Sequence, residues 1–359
     1  MGKKPTVFLE SHNIKNQFFG FGQFNYHLLK ALSKTNLKGI EIEIHVRAID
    51  KWKQVFGDIF SYKKYHAFRR YKTFSIRKKY DLWHCLNQNV KIEPRLDLPY
   101  LLTVHNITYI EDKENYMQED VHIRFQQKLS RSTAIVYISE YAKASTHQFF
   151  SVPDVPEYVI YNGNPITEVQ IPKEHTPSFA PTNKFLFSIG EFTARKNFKS
   201  LISMLEFLPD YDLIIAGKNS TKEAENIKEL VAQKRLSNRV VLPGKISELD
   251  KLWCYSNCEA FVFPSLREGF GLPIIEAMRF GKPVIASNNT SLPEIGSDIA
   301  YYWNHYDPAY MAKTVTDGIQ DFSKKETQNV QRSISRAQSF TWENAAKQYV
   351  EVYKNILKI

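Results

Sequence analysis

The stretch Phe261-Val262-Phe263-Pro264-Ser265-Leu266-Arg267-Glu268-Gly269-Phe270-Gly271-Leu272-Pro273-Ile274-Ile275-Glu276-Ala277-Met278 combines the residue types needed to hold an anion and the hydroxyls beside it. An apolar run reads as a buried strand ending at Pro264, and ligands of parallel sheets bind outside the carboxyl ends of strands. Gly269 and Gly271 let backbone N–H groups approach a ligand closely. Pro273 suits the first turn of a helix and Gly281 its termination. The loop therefore feeds a helix N-terminus, where N–H groups and the helix dipole favour an anion such as a diphosphate. Glu268 in the loop and Glu276 in the expected first turn can accept hydrogen bonds from sugar or ribose hydroxyls. The plainer alternative is that the two carboxylates only complement the dipole.

These residues need a frame, and the apolar pattern supplies one. Strands are expected at 5–10, 100–104, 134–138 and 158–161, then at 184–189, 212–216, 239–242, 260–263 and 283–287. Helices are expected at 23–33, where Phe24, Leu28, Leu29, Ala31 and Leu32 share one side, and at 197–208, 221–236, 247–256 and 342–357. Residues 40–46 alternate strictly between apolar and polar, which reads as a half-exposed, edge-like strand over 40–49. Residues 168–183 contain Pro172, Pro177 and Pro181 among polar residues and read as a linker. Short strands alternating with helices imply right-handed βαβ units, so the expected architecture is α/β with two doubly wound parallel sheets in tandem. The expected domains are 1–170, a linker at 171–183, 184–340, and a terminal helix at 341–359 packing back towards the first domain.

The segment around Glu268 and Glu276 resembles the signature of the retaining family 4 glycosyltransferases of GT-B fold, in which two glutamates with seven residues between them enclose Gly-Phe-Gly-Leu-Pro. Gly190-Glu191-Phe192-Thr193-Ala194-Arg195-Lys196-Asn197 is similar to the glycine–basic–Asn motif of that family, and the likeness runs over about residues 160–310. The resemblance implies two Rossmann-like domains facing each other across a cleft, and a sugar transferred from a nucleotide-diphosphate donor to a glycan or lipid-linked acceptor. It implies that Glu268 holds the donor sugar and Glu276 the ribose. The backbone at Gly269, Phe270, Gly271 and Leu272 would lie near sugar and phosphate, Gly190 would open the donor loop, and the backbone up to Ile246 would meet the base. Arg195 and Lys196 would neutralise the departing diphosphate. In the first half, Gly20 and Gly22 resemble the family's glycine-rich loop, His105 its active-site histidine, and Ser139 with Glu140 its Ser-Glu pair. Glu191 stands where many members carry arginine. The basic pair and the helix N-terminus make a metal unnecessary, so neither metal nor cofactor is expected. Asp210-Tyr211-Asp212 has the spacing of a cation-binding pair, but it precedes a strand and reads as a turn.

Composition narrows the partners. Of a net charge of +10, nearly all comes from residues 51–80, which hold ten basic residues and one acid interleaved with nine aromatic rings. The segment reads as a surface for an anionic membrane or a lipid-linked acceptor, or else as a solvated basic helical insertion. A nucleic-acid partner would leave the Glu268 segment without a role. A nucleotide-sugar epimerase or a sugar phosphorylase would use the same fold. The three cysteines are too few for a disulfide framework, no run of about 18 apolar residues occurs, and residues 1–5 lead directly into a strand. A cytoplasmic enzyme, peripheral on the inner face of the membrane and engaged in lipopolysaccharide or surface polysaccharide synthesis with a mannose-like hexose, is the combined expectation.

Overall fold

The computed structural model describes residues 3–17, 20–37, 39–107, 110 and 115–359. The chain forms two compact units, one of Met1–Pro165 with Thr341–Ile359 and one of Ile166–Phe340. Residues 171–183 therefore fold with the second unit.

In the first unit, seven parallel strands follow the order β3-β2-β1-β4-β5-β6-β7. They are β1 (Thr6–Glu10), β2 (Glu41–Val46), β3 (Ser61–Lys64), β4 (Leu82–Cys85), β5 (Tyr100–Val104), β6 (Ala134–Tyr137) and β7 (Glu157–Val159). The helices are α1 (Gly20–Leu32), α2 (Ile49–Phe56), α3 (Asp120–Arg131) and α4 (Glu140–Phe149). In the second unit, six parallel strands follow the order β10-β9-β8-β11-β12-β13. These are β8 (Phe185–Ile189), β9 (Asp212–Ala216), β10 (Val240–Gly244), β11 (Ala260–Phe263), β12 (Val284–Ser287) and β13 (Tyr301–Trp303). Between and after them lie α5 (Phe198–Leu205), α6 (Lys222–Gln233), α7 (Glu248–Asn257), α8 (Leu272–Arg279), α9 (Leu292–Gly296), α10 (Pro308–Lys324) and α11 (Glu326–Ser339).

Helices cover both faces of such sheets, so inner strands are buried along their whole length, as β9 and β11 are at every residue. Local signals set the helix starts. Ser247 and Asp250 form a capping box at α7, and the Thr221 hydroxyl accepts from the Ala224 N–H at α6. The last helix, α12 (Trp342–Leu357), folds with the first unit. His84 Nδ1 meets the Tyr353 hydroxyl at 2.8 Å, and Thr103 Oγ1 meets the Tyr349 hydroxyl at 3.2 Å, inside that unit's core. Trp342 packs edge-on against Phe24 of α1 with ring centres 5.7 Å apart.

Two expectations are corrected. β2 is an inner strand between β1 and β3, and Glu43 and His45 are buried on it. Their polarity is matched by partners remote in sequence: Lys78 and the Tyr80 hydroxyl on Glu43, and Glu10 on His45. Residues 51–80 are not one helical insertion, because α2 ends at Phe56, β3 joins the sheet, and two 3-10 turns follow at Ala67–Arg70 and Lys72–Phe74. Cys85, Cys254 and Cys258 are buried free thiols.

Candidate active site

The strand order of the second unit reverses between β8 and β11, so the loops leaving their carboxyl ends diverge and open a crevice. One loop carries Gly190 to Asn197 and the other Pro264 to Gly271, and the structure brings them together. The Leu266 N–H donates to the Arg195 carbonyl at 2.8 Å, and Arg195 Nη1 donates to the Arg267 carbonyl at 2.6 Å. Asn197, in the left-handed region at φ 52°, turns the first loop into α5.

Arg195, Lys196 and Glu268 converge on one oxygen. Arg195 Nη1 lies 3.1 Å from Glu268 Oε1, and Lys196 Nζ pairs with the same atom. The Ser265 hydroxyl donates to it at 2.6 Å. Burial alone would raise the Glu268 carboxyl; the charges of Lys196 and Arg195 and the hydrogen bonds from Lys196 and Ser265 outweigh it and hold the group below its ordinary value. Burial draws the Lys196 ammonium below its ordinary value, and Arg195 adds to this while Glu268 opposes it. The Lys196 ammonium also sits 4.6 Å over the Phe263 ring. Arg195 is a third exposed, whereas the Lys196 side chain is almost enclosed. The result is a fixed carboxylate, a fixed ammonium and a more accessible guanidinium at one strand end.

Three glycines shape the neighbouring edge. The Gly190 N–H donates to the Ala216 carbonyl at 2.9 Å and the Gly217 N–H to the Gly244 carbonyl at 2.8 Å, which aligns the ends of β8, β9 and β10. Glu191, which replaces the expected basic residue, pairs with Lys218 at 2.9 Å. Its negative charge is thus matched from the neighbouring strand end. Ile246 is half-buried in the loop between β10 and α7.

Gly271, at φ 103°, is the N-cap of α8, Leu272 is its first residue, and Pro273 follows. Phe270 packs its ring on Phe340, so only its backbone is suited to a ligand. Glu276 lies beyond the first turn, which corrects its expected position; its oxygens meet the Tyr255 hydroxyl at 2.8 Å and Lys251 at 3.8 Å, both on α7. A carboxylate held by a neighbouring helix is not a dipole-complementing cap.

In the first unit, Gly20 and Gly22 belong to the first turn of α1 rather than to a loop. Glycine is needed at Gly22 because a Cβ there would lie 2.0 Å from the Asn16 carbonyl oxygen. Phe21 and Phe24 of α1 meet His105 edge-on, with ring centres 4.9 and 4.6 Å away. His105 Nε2 donates to the Leu86 carbonyl at 2.8 Å. Burial pulls the imidazole down to about 4, against the opposing effect of that hydrogen bond, so it is neutral at pH 7 with Nδ1 as an acceptor. Ser139 is the N-cap of α4 and accepts from the Ala142 N–H at 3.0 Å, while Glu140 beside it is exposed.

The profile of the glycosyl transferases group 1 family matches residues 171–355, just over half of the chain. The chain belongs to that family. This group 1 glycosyltransferase is 25% identical to O-antigen chain mannosyltransferase B of Escherichia coli over 97% of its own length and 99% of that protein. Its structure is similar to sucrose-phosphate synthase of Thermosynechococcus elongatus, with a TM-score of 0.75, 18% identity, and 99% and 100% of the two chains covered. It is also similar to Anabaena HepE solved with UDP and glucose, with a TM-score of 0.73, 15% identity, and 98% and 100% covered. The fold is therefore GT-B. In this glycosyltransferase Asp212 heads β9, at the strand end opposite the Arg195–Glu268 cluster, and Asp210 precedes it in a turn.

Several supporting residues escaped the sequence reading. Thr290 and Ser291, in the loop after β12, hold the Glu268 loop by its backbone: Glu268 N–H donates to Thr290 Oγ1 at 3.0 Å, and the Ser291 hydroxyl donates to the carbonyls of Glu268 and Phe270 at 3.1 and 3.0 Å. Ser265, Lys218, Tyr255 and Lys251 join them. Hydroxyl and basic residues of these kinds are common, and only the meeting of loops distant in sequence gives them a role.

Proposed function

We propose that this glycosyltransferase moves a hexose, mannose by its likeness to the Escherichia coli mannosyltransferase, from a nucleotide-diphosphate sugar to a glycan or lipid-linked acceptor in lipopolysaccharide or surface polysaccharide synthesis, with retention of configuration as in family 4. The convergence of Arg195, Lys196 and Glu268 at the switch point carries the reading. As the donor C1–O bond breaks, negative charge gathers on the β-phosphate oxygen. Two preorganised cations stabilise it most where water is excluded. Glu268 accepts hydrogen bonds from the sugar's hydroxyls, Glu276 from the ribose, and the N-terminus of α8 faces the diphosphate. Neutral His105 contacts the donor sugar through Nδ1. With two cations already at the leaving group, no metal is needed.

A thermal-shift series with GDP, UDP, ADP, dTDP and CMP, with and without EDTA, tests this. Ligand at about 100 times its Kd adds about 2.7 kcal/mol, a rise of roughly 5–10 °C for a unit of this size. One diphosphate should give that rise regardless of EDTA; no shift with any would sink the donor site.

A second part of the proposal concerns residues 51–80. Phe68 and Phe74 on the two 3-10 turns and Tyr71 between them are 49%, 57% and 55% exposed, among Arg69, Arg70 and Lys72. Exposed rings interleaved with cations suit the interface of an anionic membrane, and we place the enzyme on its cytoplasmic face. Among the described residues no helix is long and apolar enough to cross a membrane. Failure to co-sediment with phosphatidylglycerol vesicles at low salt would remove this part.

A further inference from the structure

The loop that carries Glu268 is fastened by the next βα connection of the sheet. Ser287 closes β12, and Thr290 and Ser291 lie between β12 and α9. The Ser287 hydroxyl donates to the Ser265 carbonyl. The Glu268 N–H donates to Thr290 Oγ1 at 3.0 Å. The Ser291 hydroxyl donates to the Glu268 carbonyl at 3.1 Å and to the Phe270 carbonyl at 3.0 Å. Three hydroxyls of one connection thus hold the other from residue 265 to residue 270. Two of them, on consecutive residues, take both backbone polar groups of Glu268.

Thr290 makes its contact from a strained backbone. Its φ is 55°, in the left-handed region, and among the described non-glycine residues only Asn197, Arg235, Ser297 and Lys358 share that region. None of those four is branched at Cβ, and for a β-branched residue the conformation is a genuine outlier. The bend itself is needed, because Ser291 returns to the right-handed region at φ −78° and ψ −8° to cap α9. Glycine would make the same bend without strain. What glycine lacks is the hydroxyl that accepts from Glu268. Strain of this kind persists where the surrounding structure over-determines it, and it gathers at functional sites. Here the N–H that is held belongs to the residue on whose carboxylate Arg195 and Lys196 converge. One end of Glu268 is fixed by the two cations and Ser265, the other by Thr290 and Ser291.

We propose that Thr290 is a positioning residue, whose hydroxyl, presented from a strained backbone, holds the Glu268 main chain so that the carboxylate and its two cations keep one geometry. Stability is given up at residue 290 for order at residue 268. The benefit to turnover rests on the reading of Arg195, Lys196 and Glu268 as the donor site, where that geometry aims both cations at the leaving diphosphate. Thr290 acts through Glu268 and not on the substrate.

Three variants of the whole protein separate the hydroxyl from the strain. Thr290→Val keeps the branched shape and loses the acceptor. Thr290→Gly loses the acceptor and the strain together. Thr290→Ser keeps the acceptor with less crowding. With a mannose donor, kcat should fall about tenfold in both the valine and the glycine variants, the loss of one oriented hydrogen bond, while KM for the donor stays within about twofold. Serine should recover most of the rate. Melting temperature should follow the strain instead, with glycine roughly 3 °C above valine. Hydrogen exchange over residues 264–271, followed by mass spectrometry, should quicken in the valine and glycine variants but not in serine. A residue with a structural role alone would give activity that tracks Tm, with glycine more active than valine; that order, or exchange in the valine variant equal to wild type, would overturn the proposal. A wild type that neither binds a nucleotide nor transfers mannose, with the exchange pattern as expected, would strike the donor reading and leave the hold of Thr290 on Glu268 standing.

Discussion

Glu268→Gln is expected to lower kcat/KM by roughly 100- to 1,000-fold, the range for removing one preorganised polar group from a charge-stabilising site. The substitution keeps the shape of the side chain and an oxygen for Ser265 and Lys196, but removes the charge that fixes both cations. Arg195 and Lys196 would then lose the common point that aims them. Steady-state kinetics with a mannose donor built on the nucleotide identified by thermal shift would measure it, and near-normal turnover would refute the role assigned to Glu268. Glu268→Ala should behave differently. It leaves the enclosed Lys196 ammonium without its counter-charge, which costs about 3–5 kcal/mol for a buried pair broken on one side. A urea titration should therefore separate the two variants, with alanine losing both stability and activity and glutamine chiefly activity.

Gly217→Ala should be the most damaging single-methyl change in the second unit. Gly217 has φ 134°, which an L side chain rarely adopts, and the added Cβ would lie 1.8 Å from the Gly190 carbonyl oxygen. Relief requires the ends of β8 and β9 to part, although the Gly190 N–H to Ala216 carbonyl bond joins them there. Strain and overpacking together should cost about 4 kcal/mol, a fall in Tm of roughly 8–16 °C. Nucleotide binding should weaken with it, because Gly190 opens the loop that carries Arg195 and Lys196. Gly20→Ala is the internal control: a Cβ there meets nothing within 4 Å, and helix geometry suits alanine. It should leave Tm unchanged or slightly raised. A Gly217→Ala protein as stable as wild type would mean that the strand ends are not packed as described.

Much of the second unit could be read in advance because its signals are local. The strands Asp212–Ala216 and Ala260–Phe263 are buried throughout and apolar apart from Asp212, and in the first unit α12 likewise begins after the Thr341 cap, whose hydroxyl accepts from the Asn344 N–H. The motif around Gly271 and Pro273 places a helix start by backbone preference alone. What could not be read depends on partners far along the chain. The alternation in β2 suggested a solvent face, but Glu43 finds Lys78 and Tyr80, and His45 finds Glu10, each about 35 residues away. The four-residue strands β3 and β4 lie in or beside the basic segment, where charge hides a short apolar pattern. Glu276 falls one position past the expected first turn because the helix begins at Leu272, one residue before Pro273, behind a left-handed Gly271. The holders of the Glu268 loop, Thr290 and Ser291, belong to a different βα connection and carry no periodic signal of their own.

The helix α12 completes the first unit, yet it is made last. On the ribosome, residues up to Pro165 emerge while Tyr349 and Tyr353 are still unsynthesised, so the cores around Phe24, His84 and Thr103 stay open. The second unit, continuous from Ile166 to Phe340, can close first although its sequence comes later. The first unit must wait, with an apolar face uncovered, until α12 arrives. A chain ending before Thr341 would thus hold a folded second unit attached to an unfinished first one, which is where chaperones and proteases should act on it.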